Sequence, residues 1–512
     1  MLTYQDYEQY DENFKYEFLR QLIQDHKNSD LYKTAKIADE YDHQRNVTIY
    51  NYVQTIFNLS GDEIADFTAS NNRIASNFFH RLNTQRNTYL LGNGVDFSSE
   101  NGEETKQRLG IQFDTDLKTA GYNALIHGIT FGFWNDDDDG GKLHIFPVTE
   151  FAPLWDEEKG TLRAGIRFWQ LDDDKPMYAV FYEEDGYTKL KSKETKNANG
   201  GYDYSFEVVT EKTKYKTVIQ VSEADGEEVI GEDNYSSLPI IPLYGSKLKQ
   251  STLIGMQESI DSFDLIRSGF ANDLTDVSQI YWIIENAGGM SDNELARLRD
   301  RLKLTHMAVV DTDHSGVTPY TQDIPFQARK EYLNEIRAGI YEDFGGLDVH
   351  TVSAGATNDH IDAAYQPMDE EADDFEYQII EFIQQILRLI GIEDTPVFKR
   401  NRISNQREQT DMILSASEYL DDETILTKLP FINIDEVQSI LEKRDTENLD
   451  RFEQSDEMMA EDEIPDEEMT EDDFTDYDED EESLEELEDD EDDDFSDIEA
   501  QLRELEEELE RE

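Results

Sequence analysis

The sequence predicts an α+β chain, on three observations. Two amphipathic helical stretches flank a small αβ insert, a run of alternating segments between about 129 and 220 reads as an antiparallel meander, and a long apolar-periodic helix follows. The block from Gln257 to Ile390 holds the first and third of these. Its first helix is marked by Ile260, Phe263, Ile266, Phe270, Leu274 and Val277, whose steps of three and four residues share one face of a 3.6-residue period. Glu258, Asp261, Arg267, Asp273 and Asp276 stand opposite, as on a solvated or lumen-facing side. A second helix is expected from Phe326 to Phe344, with Leu333, Ile336, Ile340 and Phe344 on one stripe and Gly345-Gly346 stopping it. A loop, Leu347 to Asp359, leads into the long helix from about Ile361 to Ile390, which Pro367 should kink because proline cannot donate its backbone bond.

The insert between the two helices reads strand QIYWIIENAGG, helix SDNELARLRDRLK, strand HMAVVDTD. Ser291 is placed to cap that helix, with Glu294 at the reciprocal position. Before the block, the first 70 residues alternate short helical patterns with polar connectors and are rich in Tyr4, Tyr7, Tyr10, Phe14, Tyr16 and Phe18, a composition suited to docking on something larger. Asn71 to Leu91 reads as one amphipathic helix carrying Ile74, Phe78, Leu82 and Tyr89, and Thr105 to Gly132 as mostly helical. The strands expected next are ITFGFWN, KLHIFPV, RAGIRFWQL, MYAVFYEE, YTKLKSK, YDYSFEVVT and TKYKTVIQV. After Gly391 a helical C-terminal subdomain is expected, with Asp421 or Asp422 as a cap.

At 512 residues the chain has length for two to four domains and an ample core. It has no cysteine, which excludes a disulfide framework, a thiol nucleophile and thiolate metal ligation. The N-terminal MLTYQDYEQYDENF has neither the basic region nor the apolar run of a signal peptide, and no window approaches a membrane-spanning length. Net charge is −73, of which residues 451–512 carry −32, with 35 Asp+Glu against 3 Lys+Arg. That tail buries too little to offset the entropy of ordering and is expected to be disordered. The body is acidic in its own right and lacks the clustered Lys and Arg with which proteins grip nucleic acid. Acidity is most often plain solubility.

No catalytic motif emerges. NDDDDG at 135–140 starts like a calcium loop, but Phe146 stands where the bidentate glutamate belongs, so a solvated hairpin turn is the better reading. Neither phosphate-binding glycine pattern is present, which argues against an intrinsic ATPase. His306 and His314 have no third ligand at metal spacing. Carboxylates are too abundant for any pair to identify an acid–base site. No cofactor is expected.

The order helix, αβ tip, helix, glycine-bearing loop, long helix is the specific signal. With the stretches NNRIASNFFHRLNTQRNTYLLGNGVDF, ALIHGITFGFWNDDDDGGKLHIFPVTEFAPLWDEE, LPIIPLYGSKLKQSTLIGMQESIDSFDLIRSGFANDLTDVSQIYWIIENAGG and VFKRNRISNQREQTDMILSA, it resembles the SPP1-like portal proteins of tailed bacteriophages over about residues 70–445. The resemblance implies a homo-oligomeric ring, usually of twelve subunits, at one capsid vertex of the virion, assembled in the host cytoplasm. It implies a conduit for packaging and ejecting double-stranded DNA without sequence-specific binding. The partners it implies are the terminase large subunit, head-completion adaptors, and major capsid and scaffolding proteins, with no membrane.

By the same resemblance, residues 1–256 would form N-terminal helices and wing, 257–278 and 326–344 the stem, 279–325 the clip, 345–360 the tunnel loop, 361–394 the kinked wing helix, 395–450 the crown and 451–512 the acidic tail. Tunnel-loop candidates facing DNA are Gly345, Gly346, Asp348, His350, Gly355 and Asn358. Clip candidates for terminase or adaptor contact are Trp282, Glu294, Arg297, Arg299, Arg301 and Lys303. Two other classes remain open on the residues alone: an acidic adaptor or scaffold that forms no ring, and a hydrolase whose carboxylates are hidden among many.

Overall fold

The computed structural model describes residues 2–444 except 12–13, 58–60, 67–68, 100, 138–139, 173, 197–201, 223–225, 278–280, 285–290, 292, 295–296, 298–316, 321–324, 350–357, 403–405, 418–419, 430–436, 438 and 442. Helix and sheet are mixed, as an α+β chain requires. Two units separate at Ala416/Ser417, and everything below up to residue 416 concerns the first. In the second, helix Asp422–Lys428 is capped by Asp421, whose side chain accepts from the Thr424 N–H. Of the two aspartates considered, Asp421 is the cap.

Two antiparallel sheets carry the middle of the chain. A five-stranded sheet runs in the order 202–213, 186–196, 178–183, 162–169, 151–155, and a three-stranded one in the order 240–244, 129–137, 140–147. The strands at 151–155 and 226–233 add to those expected; the second pairs with 216–222 as a separate ribbon. The acidic NDDDDG stretch belongs to the hairpin of the three-stranded sheet, where Asn135 pairs with Lys142 and Asp137 with Gly140. Asp136 is paired with Arg108 at 2.8 Å. Among the described residues no cluster of His, Asp or Glu has the form of a metal site.

One face of the five-stranded sheet is closed by the N-terminal helices. Phe18, Leu19, Leu22 and Ile23 of helix Lys15–Asn28 pack on Ala152, Leu154, Ile166, Phe168, Phe181 and Leu190. The aromatic N-terminus thus docks first on its own chain: Tyr7 is buried against Phe18 and Phe181, whereas Tyr10, Phe14 and Tyr16 are exposed.

The main core lies where the C-terminal half of the long helix, Asn358–Ile390, crosses the three-stranded sheet. Phe375, Ile379, Phe382, Ile383 and Ile386 meet Phe131, Phe146, Ile241 and Leu243. Gly132 permits this crossing, since a Cβ there would lie 2.5 Å from the Phe382 ring. Helical geometry continues on both sides of Pro367.

The expected helix from Asn71 starts instead at Phe78, and residues 71–77 take no regular secondary structure. The reason is that three of their backbone N–H groups are bound elsewhere. Ser76 donates to Asp264 Oδ1 at 2.8 Å, Ile74 to Ser268 Oγ at 3.0 Å and Asn72 to Asn272 Oδ1 at 2.6 Å. These acceptors stand at i, i+4 and i+8 on helix Gln257–Val277, whose bounds match the expectation. The buried side of that helix is therefore partly polar, with Asp264, Ser268 and Asn272 all buried. Asp261, expected on the solvated side, is only half-exposed and accepts from Tyr41 and from Thr48. Leu274, expected on the apolar face, is exposed.

Gly128 ends helix Phe113–His127 in the left-handed region at φ 85°, and a Cβ there would lie 2.5 Å from the Gln250 carbonyl carbon. Both the backbone preference and the close approach demand glycine. Gly128→Ala should lower unfolding stability by about 2 kcal/mol or more, read as a fall in urea midpoint.

Candidate functional site

The segment most open to a functional role is the loop after helix Phe326–Phe344, together with the groups that hold its root. Gly345 terminates the helix at φ 66°, donating to the Glu342 carbonyl, while the Gly346 N–H reaches the Tyr341 carbonyl at 2.8 Å. This five-residue return is the C-terminal stop that a left-handed glycine makes possible. Gly346 also allows close packing, since a Cβ there would lie 2.5 Å from Leu82 Cδ2.

Helix Phe78–Leu91 grips this root with two adjacent residues. The Gln85 carboxamide pairs with Leu347 in both directions, Nε2 donating to the Leu347 carbonyl at 3.0 Å and Oε1 accepting its N–H at 3.1 Å. Arg86, buried, donates to the Phe344 carbonyl, pairs with Glu371 at 3.1 Å and lies 4.1 Å over the Phe344 ring. A cation at the carbonyl end of a helix is favoured by the helix dipole. Burial pulls the Arg86 guanidinium below its ordinary range, and Glu371 and Asp374 oppose that shift. Next to the clamp lies a cleft of about 440 Å³ lined by His80, Arg81, Thr84, Thr88, Tyr341 and Val349, among others.

The candidate loop residues fall as follows. Gly345 and Gly346 form the root. Asp348 is half-buried and accepts from Arg337 of the preceding helix at 2.7 Å. His350 and Gly355 lie outside the described residues. Asn358 opens the long helix, slightly earlier than expected. The Pro367 carbonyl lies against the root, 3.1 Å from where a Gly345 Cβ would sit.

At the tip between the two helices, strand Tyr281–Ile284 pairs antiparallel with Val317–Tyr320, and Trp282 stands opposite Pro319. The expected second strand HMAVVDTD, and with it His306 and His314, lies outside the described residues. Glu294 accepts from both the N–H and the hydroxyl of Ser291, at 2.9 and 3.0 Å, which is the reciprocal half of the expected capping box. The Ser291 N–H holds its carboxyl below the ordinary glutamate range. Arg297 is exposed and helical. Arg299, Arg301 and Lys303 lie outside the described residues.

Beyond the long helix the chain makes a strand, Pro396–Phe398, paired with Val95–Phe97, and then a clasp. Arg400 pairs with Asp369, Asp373 and Glu376, and Arg402 with Asp362 and Asp369, all on the long helix. Tyr89 donates to Asp369 at 2.5 Å and stacks on Tyr365 with ring centroids 5.5 Å apart. Burial, reinforced by the bond to Asp369, pushes the Tyr89 phenol up to about 12. Burial alone would raise Asp369, but the bonds from Tyr89 and both arginines hold it below the usual carboxylate range.

The sequence that builds this framework is similar to those of known proteins. Residues 11–450 match the family model described as "Phage portal protein, SPP1 Gp6-like". The chain belongs to that family. Two curated relatives are similar at 25% identity: the portal protein of Clostridium phage phiCD119, over 71% of this chain and 82% of that one, and the portal protein of Bacillus phage SPP1, over 82% and 84%. No described helix is long and apolar enough to cross a membrane.

Sequence reasoning missed Gln85, Arg86 and the Asp264–Ser268–Asn272 ladder. The signal for the ladder was present as three hydrogen-bonding residues at i, i+4 and i+8 beside an apolar stripe. Gln85 and Arg86 sit in a polar run, NTQRN, that reads as a solvated face.

Two outcomes check the clamp and the clasp. Gln85→Ala removes the acceptor for the Leu347 N–H, and its hydrogen exchange should quicken by about fivefold, the equivalent of ~1 kcal/mol for one bond. Asp369 has a depressed folded-state pKa, so its stabilisation is present above the unfolded value of about 3.9 and is lost as pH falls through the folded value. Asp369→Asn should therefore cost about 2 kcal/mol at pH 7, and its gap from the parent should narrow as pH is lowered below about 3.9 in urea titrations.

Proposed function

We propose that this chain acts as the portal of a tailed-phage capsid: copies close into a ring, twelve in the virion, at one vertex. Through its channel double-stranded DNA enters during packaging and leaves at ejection. The family match over residues 11–450 carries this reading. Helices 257–278 and 326–344 are its stem, 279–325 its clip, 345–360 its tunnel loop, 361–394 its wing helix, 395–450 its crown, and 451–512 an acidic tail. The clip receives the terminase large subunit during packaging and head-completion adaptors afterwards. Capsid and scaffolding proteins contact the outer body. The chain supplies no catalysis, and the terminase supplies the energy.

Two physical features support the assignment. Leu274, Phe326, Tyr332 and Tyr377 are large apolar groups left exposed on the long helices of a single chain, as faces awaiting a neighbouring copy would be. The charge of −73 repels phosphate, so DNA can slide without being held.

End-on electron microscopy of the purified protein tests the ring directly. Rings with a central hole and about twelve-fold symmetry are expected from the family resemblance. Monomers that persist at high concentration and with scaffolding protein present would sink the proposal. Leu274→Glu should keep the far-ultraviolet dichroism of the parent while shifting the population from rings to monomers.

A further inference from the structure

One stretch of this acidic chain is basic. Residues 187–217 hold seven lysines against four carboxylates, +3 where the whole chain carries −73. On strand Gly186–Lys196 the alternate residues Lys189, Lys191 and Lys193 share one sheet face, since successive side chains point to opposite sides. The register sets Lys191 beside Tyr178 and Tyr178 beside Trp169, and it sets Lys189 beside Val180 and Val180 beside Arg167. The opposite face, with Leu190, is buried against the N-terminal helices. On the lysine side the main core covers Val180 and Tyr182, and the rest is open. Lys189 and Lys193 are exposed, Lys191, Tyr178 and Trp169 are half-buried, and Leu171, just past Trp169, is 83% exposed.

Little on the protein competes for these three ammonium groups. Among the described residues only Lys193 of the three is paired with a carboxylate, Glu207 at 3.4 Å, and both side chains are 63% exposed. Such an exposed pair is weak and exchanges readily. The rings beside the lysines are already stacked. Tyr178 lies between Lys191 on one neighbouring strand, 5.5 Å from its ring centroid, and Trp169 on the other, with centroids 6.0 Å apart and planes 19° from parallel. Arg167 lies 5.1 Å from the Trp169 ring. The row therefore offers ring edges more than open faces. Ring edges carry the positive end of the aromatic quadrupole and favour an anion, whereas a nucleic-acid base needs a free face to stack on.

We propose that this face docks an extended acidic segment of a partner protein, with carboxylates at alternate positions and one large apolar side chain among them. Alternate residues of two extended chains advance by the same ~6.6 Å, so successive carboxylates meet Lys189, Lys191 and Lys193 in step. Glu207 yields Lys193 to the incoming carboxylate, and the apolar side chain rests against the Trp169 edge and Leu171. The negative field of the whole chain does not prevent this contact. At physiological salt it is screened beyond about 8 Å, so the nearest charges decide. This inference does not rest on the proposed function.

Fluorescence anisotropy with the full-length protein tests the surface. The probe is a labelled peptide of alternating glutamate and serine with one leucine near its middle. Lys189→Gln, Lys191→Gln and Lys193→Gln combined should weaken its binding about tenfold, as the loss of three exposed ion pairs implies. Lys33→Gln, Lys36→Gln and Lys330→Gln combined make the same charge change elsewhere and should weaken it by less than about twofold. A second readout needs no variant. In the parent protein, peptide at about twice its Kd should slow acetylation of Lys189, Lys191 and Lys193 about threefold and leave Lys33 unchanged. No binding, an equal loss in both triple variants, or protection that spares the three lysines overturns the proposal. So does tighter binding of an oligothymidylate of equal charge, which would make the face a nucleic-acid surface.

Discussion

Backbone N–H groups removed from water must find an acceptor, and much of the first unit is arranged around how segment 72–76 meets that requirement. Its N–H groups cannot enter a helix ladder because they are taken by Asp264, Ser268 and Asn272. Tied down in this way as a strap, residues 72–76 set where helix Phe78–Leu91 begins. From that helix, Gln85 and Arg86 hold Leu347 and Phe344, fixing where the preceding helix ends and the loop departs. Burial raises the Asp264 carboxyl above the usual range, with bonds from Asn46 and Ser76 pulling it back. The site is costly in isolation and tolerable only because its acceptors are used.

The long helix joins two kinds of environment. Its C-terminal half is locked into the sheet core by Phe375, Ile379, Phe382 and Ile386, while Ile361, Tyr365 and Met368 pack near the loop root with Tyr89 and Leu347. It also bears Asp369, Asp373 and Glu376 at three- and four-residue spacing, a pattern of like charges that destabilises a helix. Arg400 relieves this by reaching all three. In a chain so acidic, these few arginines act where repulsion is concentrated.

Elements whose stabilising partners lie within a turn or two were legible. Helix Phe326–Phe344 with its glycine stop, helix Gln257–Val277, the Ser291–Glu294 cap and most strands of the meander follow from local periodicity and local chemistry. The strap was not legible, because its N–H partners lie about 200 positions further along the chain. The same holds for the strand Pro396–Phe398, which lies in a stretch read as helical and whose partner is Val95–Phe97. At the candidate site, Gly345 and Gly346 were readable from sequence. The residues that give them a fixed setting were not, since a glutamine and an arginine in a polar run look alike whether they face water or a carbonyl.

The pairing of Val95–Phe97 with Pro396–Phe398 has a consequence for the order of events on the ribosome. The N-terminal helices can seat once the strands between 151 and 196 have emerged. Strand Val95–Phe97, by contrast, keeps its partner edge open until about 300 further residues have been made. At roughly 5–20 residues per second, that is an interval of about 15–60 seconds. Throughout it, the short edge is shielded by its length and by Asp96 rather than by a neighbour. Asp96, which has Lys106 at hand almost at once but Lys399 only at the end of that interval, therefore also marks the open edge against the wrong strand.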